Sequence, residues 1–404
     1  MKTRLTRSLW FPVLTLAACS GPGTVVDDAS PPPPDAAREV RADAATDAMV
    51  GADAGSRDAE VADATTGIDG GPAVVLGDPI EVATDQRRRW VWQPMPTMRC
   101  ADGSEGGFAV NFAEDLDELL VYFQGGGICY DAITCAASLI ANVGDDPPRT
   151  ALEPNVFEGR GIFDREDPDN PFRDASFVVL PHCTGDHHTG DAVTRYGART
   201  VHHHGYANVS RLLERLLATF STASRVTITG FSAGGVGVGA NYHQLARGFE
   251  AVGQPPPFLV IDGGPFLRNE YLSDRAQERL RASWNLEATV GPFCPECLED
   301  GVHRIYEANA RLHPGVRMSM VCAYEDSVVA TLYAVMNTRG FPGSRLRAGL
   351  GDLASSLESL EAMRFFFYGG DRHGALSLPL ADTPGLPRFL QQQLGGGAWD
   401  SVRP

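Results

Sequence analysis

Apolar residues along most of the chain fall into short runs separated by stretches of helical spacing. The runs at 108–112, 119–123, 177–180, 225–229, 258–261, 317–324 and 364–368 predict β-strands. The clearest helix is 208–220, where Val209, Leu212, Leu213, Leu216, Leu217 and Phe220 share one face while Arg211, Glu214 and Arg215 look outward. A second helix follows the run at 225–229 and covers 236–249. Strands alternating with helices predict an α/β fold, a mostly parallel sheet flanked by helices. No linker or internal repeat interrupts residues 76–404, so this stretch is read as one domain.

The first 75 residues have a different pattern. Lys2, Arg4 and Arg7 precede a short apolar run ending in Leu16-Ala17-Ala18-Cys19, the order of an export signal, and the run is too short to span a bilayer. The tetrapeptide resembles a bacterial lipoprotein box, which implies cleavage before Cys19, acylation of its thiol, and a lipid anchor in the cell envelope. Residues 20–75 contain no aromatic side chain and carry eleven acidic against three basic residues, with four consecutive prolines at 31–34. Such a segment has too little apolar surface to offset the entropy of ordering and reads as a disordered tether.

Charge and cysteine content narrow the chemistry. The whole chain has a net charge of −17, and the part after the tether stays acidic, which argues against a nucleic-acid partner. Of eight cysteines, seven remain once Cys19 is set aside, and in an exported chain these point to disulfides with one thiol left buried. Cys129 and Cys135 are spaced to close a short loop. Cys294 and Cys297 are open to pairing with each other, pairing with Cys322, or ligating a metal, but further ligands at zinc spacing are missing and no metal is expected.

The organising motif is Gly230-Phe231-Ser232-Ala233-Gly234, set between a strand and a helix. A serine on so tight a turn projects its hydroxyl from the sheet edge, and the N–H of Ala233 faces the reacting carbonyl, so Ser232 is the candidate nucleophile. In folds of this kind the partners follow in the order acid, then histidine. Order removes His182, His187, His188 and His202 to His204; His243, His303 and His313 fall on or beside helices. His373, just beyond the strand at 364–368, is the candidate base. Two carboxylate positions follow strands between Ser232 and His373. Asp326 is preferred to Asp262, whose strand adjoins that of Ser232 with little room for an imidazole between, while spacing leaves Glu325 open. The glycine turn Gln124-Gly125-Gly126-Gly127 follows the strand at 119–123 and is the candidate source of a second oxyanion N–H.

Taken in order, Cys100 to Ser104, the glycine turn with Cys129-Tyr130-Asp131 and Cys135, the stretch His182 to Asp191, His203 to Asn208, the serine motif and Asp262 to Phe266 resemble the pectinacetylesterase family. The resemblance implies an α/β-hydrolase-like fold, no cofactor, and ester hydrolysis through Ser232, Asp326 and His373. It also implies an oxyanion hole of Gly126, Gly127 and Ala233 N–H groups, and disulfides Cys129 to Cys135 and Cys100 to Cys183. The chain departs from the family in lacking a tryptophan in the glycine turn and in carrying Phe231 where many members have cysteine. The expected activity is removal of a short acyl group, most simply acetyl, from an esterified carbohydrate or small ester. The rival readings are a long-chain lipase or protein deacylase, and a catalytically silent carbohydrate-binding lipoprotein.

Overall fold

The computed structural model describes residues 74–136 and 157–403. The export segment with Cys19, and the tether as far as residue 73, lie outside the described residues. The described residues form an eight-stranded sheet and a two-stranded hairpin. In chain order the strands are β1 (Val91–Arg99), β2 (Glu105–Asn111), β3 (Glu118–Phe123), β4 (Ser176–Leu180), β5 (Ala192–Tyr196), β6 (Arg199–His203), β7 (Arg225–Phe231), β8 (Phe258–Asp262), β9 (Met318–Ala323) and β10 (Met363–Tyr368). The large sheet runs β1-β2-β4-β3-β7-β8-β9-β10, and the hairpin is β5-β6. All neighbours from β4 to β10 are parallel, and only β1 and β2 are antiparallel to theirs. The sheet is therefore mostly parallel, with helices packed on it, as the alternating pattern predicts.

Both faces of the parallel part are covered, which is why its strands read as nearly continuous apolar runs. In β3 the side chains of Leu119, Val121 and Phe123 enter one core, and Leu120 and Tyr122 enter the other. The first core is closed by the helix Gly205–Phe220, whose Val209, Leu212, Leu216, Leu217 and Phe220 are fully buried, and by the helix Ala233–Ala251. The second contains an aromatic cluster in which Trp90 stacks on Phe177 and meets Phe157 and Phe163 at an angle, and Tyr122 packs edge to face on Phe157 and Phe163. Burying one leucine or phenylalanine side chain contributes about 1.5–3 kcal/mol, so the two layers together fix the sheet firmly.

Between β8 and β9 the chain leaves the sheet as a cluster of short helices, Asp274–Trp284, Leu286–Thr289, Pro295–Glu299 and Ile305–Leu312. Cys294 and Cys297 are bonded to each other here, and Cys322 on β9 remains a buried free thiol. The other two disulfides join Cys100 to Cys183 and Cys129 to Cys135. No helix among the described residues is long and apolar enough to cross a membrane.

Candidate active site

Every group singled out for catalysis follows the carboxyl end of a parallel strand, and those strands are close together in the sheet. β7 runs into Ser232, which has φ 57° and ψ −119°, and the helix Ala233–Ala251 starts at the next residue. A non-glycine residue there is strained, the signature of a serine thrust out of a strand-to-helix turn. The turn closes because its flanks lack side chains. A methyl group on Gly230 would collide with the backbone of Gly234, and one on Gly234 with the carbonyl of Phe123 on β3. The backbone N–H of Ser232 donates to the Asp262 carbonyl at 2.8 Å, which ties the elbow to the end of β8.

The loops after β9 and β10 are laced together. The N–H groups of Tyr324, Glu325 and Ser327 donate to the carbonyls of Tyr368, Gly370 and Asp371. This lacing sets Asp326 beside His373, and Nδ1 of His373 lies 2.8 Å from Asp326 Oδ2. The other carboxylate oxygen, Oδ1, accepts the N–H groups of Val328 and Val329 at 3.0 Å, capping the helix Ser327–Asn337. Asp326 is fully buried and held at both oxygens, so the imidazole edge facing it has a fixed partner. Glu325, left open by spacing, instead pairs with Arg347 at the surface. His373 packs on Phe231, the residue before Ser232, with ring centroids 4.5 Å apart. Among the described residues no hydrogen bond joins the Ser232 hydroxyl to His373; such contacts commonly tighten only with substrate in place.

Asp262 has a structural task that sequence reasoning did not find. Its buried carboxylate accepts the N–H groups of Ala375 and Leu376 at 2.9–3.1 Å, so it anchors the chain immediately after His373. Burial pushes its pKa up to about 6, against the two backbone donors that favour the carboxylate. The signal was present as the run Asp262-Gly263-Gly264, whose glycines let the backbone pass between Ser232 and His373. A methyl group on Gly264 would lie 2.5 Å from the Ser232 carbonyl oxygen, and one on Gly263 3.5 Å from His373 Nδ1.

The glycine turn after β3 lies against the elbow, since a methyl group on Gly125 would come within 2.8 Å of Ser232 Cβ. Gly127 has φ 79°, a conformation that suits glycine. Behind the turn sits the stretch 182–191, which contains three buried histidines and Asp186. Asp186 accepts from the Thr184 hydroxyl and from the N–H groups of His188, Gly190 and Gly205. Burial lowers the pKa of His187 to about 3 and that of His203 to about 4, and holds those of His182 and His188 below the ordinary imidazole value. The four imidazoles are therefore neutral at pH 7. Cys129 ends the turn, its N–H bonded to the Gly185 carbonyl and its own carbonyl to the Trp284 indole.

A family profile described as pectinacetylesterase matches residues 91–289, which include the glycine turn, the histidine stretch and Ser232, and which stop short of Asp326 and His373. Human palmitoleoyl-protein carboxylesterase NOTUM is 26% identical over 182 residues, covering 43% of this chain and 35% of that protein. The Xenopus laevis palmitoleoyl-protein carboxylesterase notum1' is 27% identical over 189 residues, covering 43% of this chain and 36% of the relative. The chain thus spans about a third of the length of the curated relatives it matches. Over residues 91–289, the strand-elbow-helix unit with its glycine turn, the chain is similar to the pectinacetylesterase family.

Proposed function

We propose that the chain is a serine carboxylesterase that removes short acyl groups, acetyl above all, from an esterified carbohydrate. The observation that carries this reading is a buried, doubly anchored Asp326 bonded to His373, which packs on the residue preceding a strained Ser232. In the proposed reaction the Ser232 hydroxyl attacks the ester carbonyl while Nε2 of His373 takes its proton. Asp326 holds the Nδ1–H tautomer and stabilises the imidazolium as it forms. The N–H groups of Ala233, Gly126 and Gly127 receive the oxyanion, His373 returns the proton to the leaving alcohol, and water then cleaves the acyl-enzyme.

The relatives' names favour a second reading, a deacylase for long fatty acyl groups on protein. The description of the matching family profile, pectinacetylesterase, favours the acetyl reading instead. The three disulfides fit an exported protein. A lipid anchor at Cys19 belongs to the same proposal and rests on the sequence.

Hydrolysis of p-nitrophenyl esters from acetate to palmitate tests the reading. Rates are expected to be highest for acetate and to fall steadily with chain length, with release of acetate from acetylated polysaccharides. A maximum at twelve to sixteen carbons would replace it with the long-chain reading, and no cleavage of any ester would point to a silent binding protein.

A further inference from the structure

The buried histidines of the stretch 182–191 hold carbonyls of the glycine turn, and the direction of those contacts carries chemical information. His182 Nδ1 lies 3.0 Å from the Gly126 carbonyl oxygen, and His188 Nε2 lies 2.9 Å from the Gln124 carbonyl oxygen. A carbonyl only accepts, so both ring nitrogens carry a proton. The second nitrogen of His182, Nε2, accepts the N–H of His187 at 3.1 Å, so His182 is the neutral Nδ1–H tautomer. In a trans peptide the C=O of one residue and the N–H of the next point in opposite directions. The Gly126 carbonyl turned toward His182 therefore turns the Gly127 N–H away from it, and the Gln124 carbonyl turned toward His188 does the same for the Gly125 N–H.

We infer that His182 is a positioning residue for the oxyanion hole, holding the Gly126 carbonyl so that the Gly127 N–H faces the carbonyl attacked by Ser232, while His188 steadies the start of the same turn through the Gln124 carbonyl. The inference rests on the esterase reading above. A glycine-rich turn is free to rotate its peptide planes, and without these bonds it would sample orientations that remove the donor. The histidines are themselves held. Asp186 accepts the His188 N–H at 3.0 Å, and Asn241 on the helix that begins after Ser232 donates to the His188 carbonyl at 2.7 Å. A methyl group on Gly237 of that helix would lie 2.6 Å from the His187 carbonyl oxygen. Cys183, next to His182, is bonded to Cys100. Elbow, turn and histidines thus form one rigid block, with the donor orientation set from behind.

The test compares the full chain with His182→Ala and His182→Asn in p-nitrophenyl acetate kinetics. An asparagine amide places an N–H close to where the imidazole Nδ1–H lies. In His182→Ala kcat is expected to fall ~10²-fold, as when an oxyanion donor is lost, with KM within about threefold of wild type, and His182→Asn should recover at least about tenfold of that loss. A folded His182→Ala chain with wild-type kcat, a change confined to KM, or an asparagine variant as slow as the alanine one would overturn the inference while leaving the esterase reading intact. Should the variants fail to fold, 15N-histidine NMR of the wild-type chain decides: a neutral His182 protonated at Nδ1 is expected, and an Nε2–H tautomer or an imidazolium overturns the arrangement. This second readout needs no turnover. A wild-type chain that cleaves no ester sinks the esterase reading itself.

Discussion

At the scale of single residues, the two carboxylates near His373 have separate tasks, and each makes its own prediction. Asp326 bonds the imidazole through one oxygen and caps a helix through the other. Asp326→Asn keeps an acceptor for the cap but presents the wrong partner to Nδ1. kcat on p-nitrophenyl acetate is expected to fall ~10³–10⁴-fold with an unchanged melting temperature, and a loss below tenfold would contradict the role. Asp262 has a folded pKa raised from 3.8 to about 6. Between those values the unfolded chain has released a proton that the folded chain still holds, so this group makes stability fall as pH rises from about 4 to 6. The effect amounts to about 3 kcal/mol across the window and is complete above it. Asp262→Asn should flatten that part of the stability curve in denaturant titrations; parallel curves for wild type and variant would refute the account. Strand ends and chain order were enough to single out Ser232, His373 and the Glu325-Asp326 pair as candidates in the sequence. The choice between Asp326 and Glu325, one residue apart, was not legible there, because only the lacing of two loops decides which side chain turns inward.

At the scale of elements, the parallel strands announced themselves because both faces are buried, and helix Gly205–Phe220 because one face is. β1 gave no such signal. It is an edge strand carrying Pro94 and Pro96, residues that argue against a strand wherever a ladder bond is required. The hairpin β5-β6 was hidden for another reason: its side chains are mostly half-buried or exposed, so no run of apolar residues marks it. The histidine stretch carried its composition openly, yet neither the imidazole tautomers nor the carbonyls they bond are encoded in any local spacing. The elbow is the element on which all others depend, and Gly234 is its tightest point. Gly234→Ala should cost more than about 3 kcal/mol, since a Cβ there can be accommodated only by parting β3 from β7. A variant that melts within a few degrees of wild type would mean that the elbow is looser than its contacts imply.

At the scale of the whole molecule, the sheet order brings the ends of β3, β7, β8, β9 and β10 side by side, and each contributes one part. β3 supplies the glycine turn, β7 the serine, β8 the anchor for the chain after His373, β9 the proposed acid and β10 the proposed base. The family profile covers the first three and ends at residue 289, so the last two rest on the geometry of this chain. The most direct test of the central claim is covalent: treat the protein with an alkyl fluorophosphonate and map the adduct by peptide mass spectrometry. One adduct per chain, on the peptide containing Ser232, with labelling abolished in His373→Ala, is the predicted result. An adduct on another serine, or labelling of Ser232 that does not depend on His373, would contradict the assignment of this site as a serine esterase.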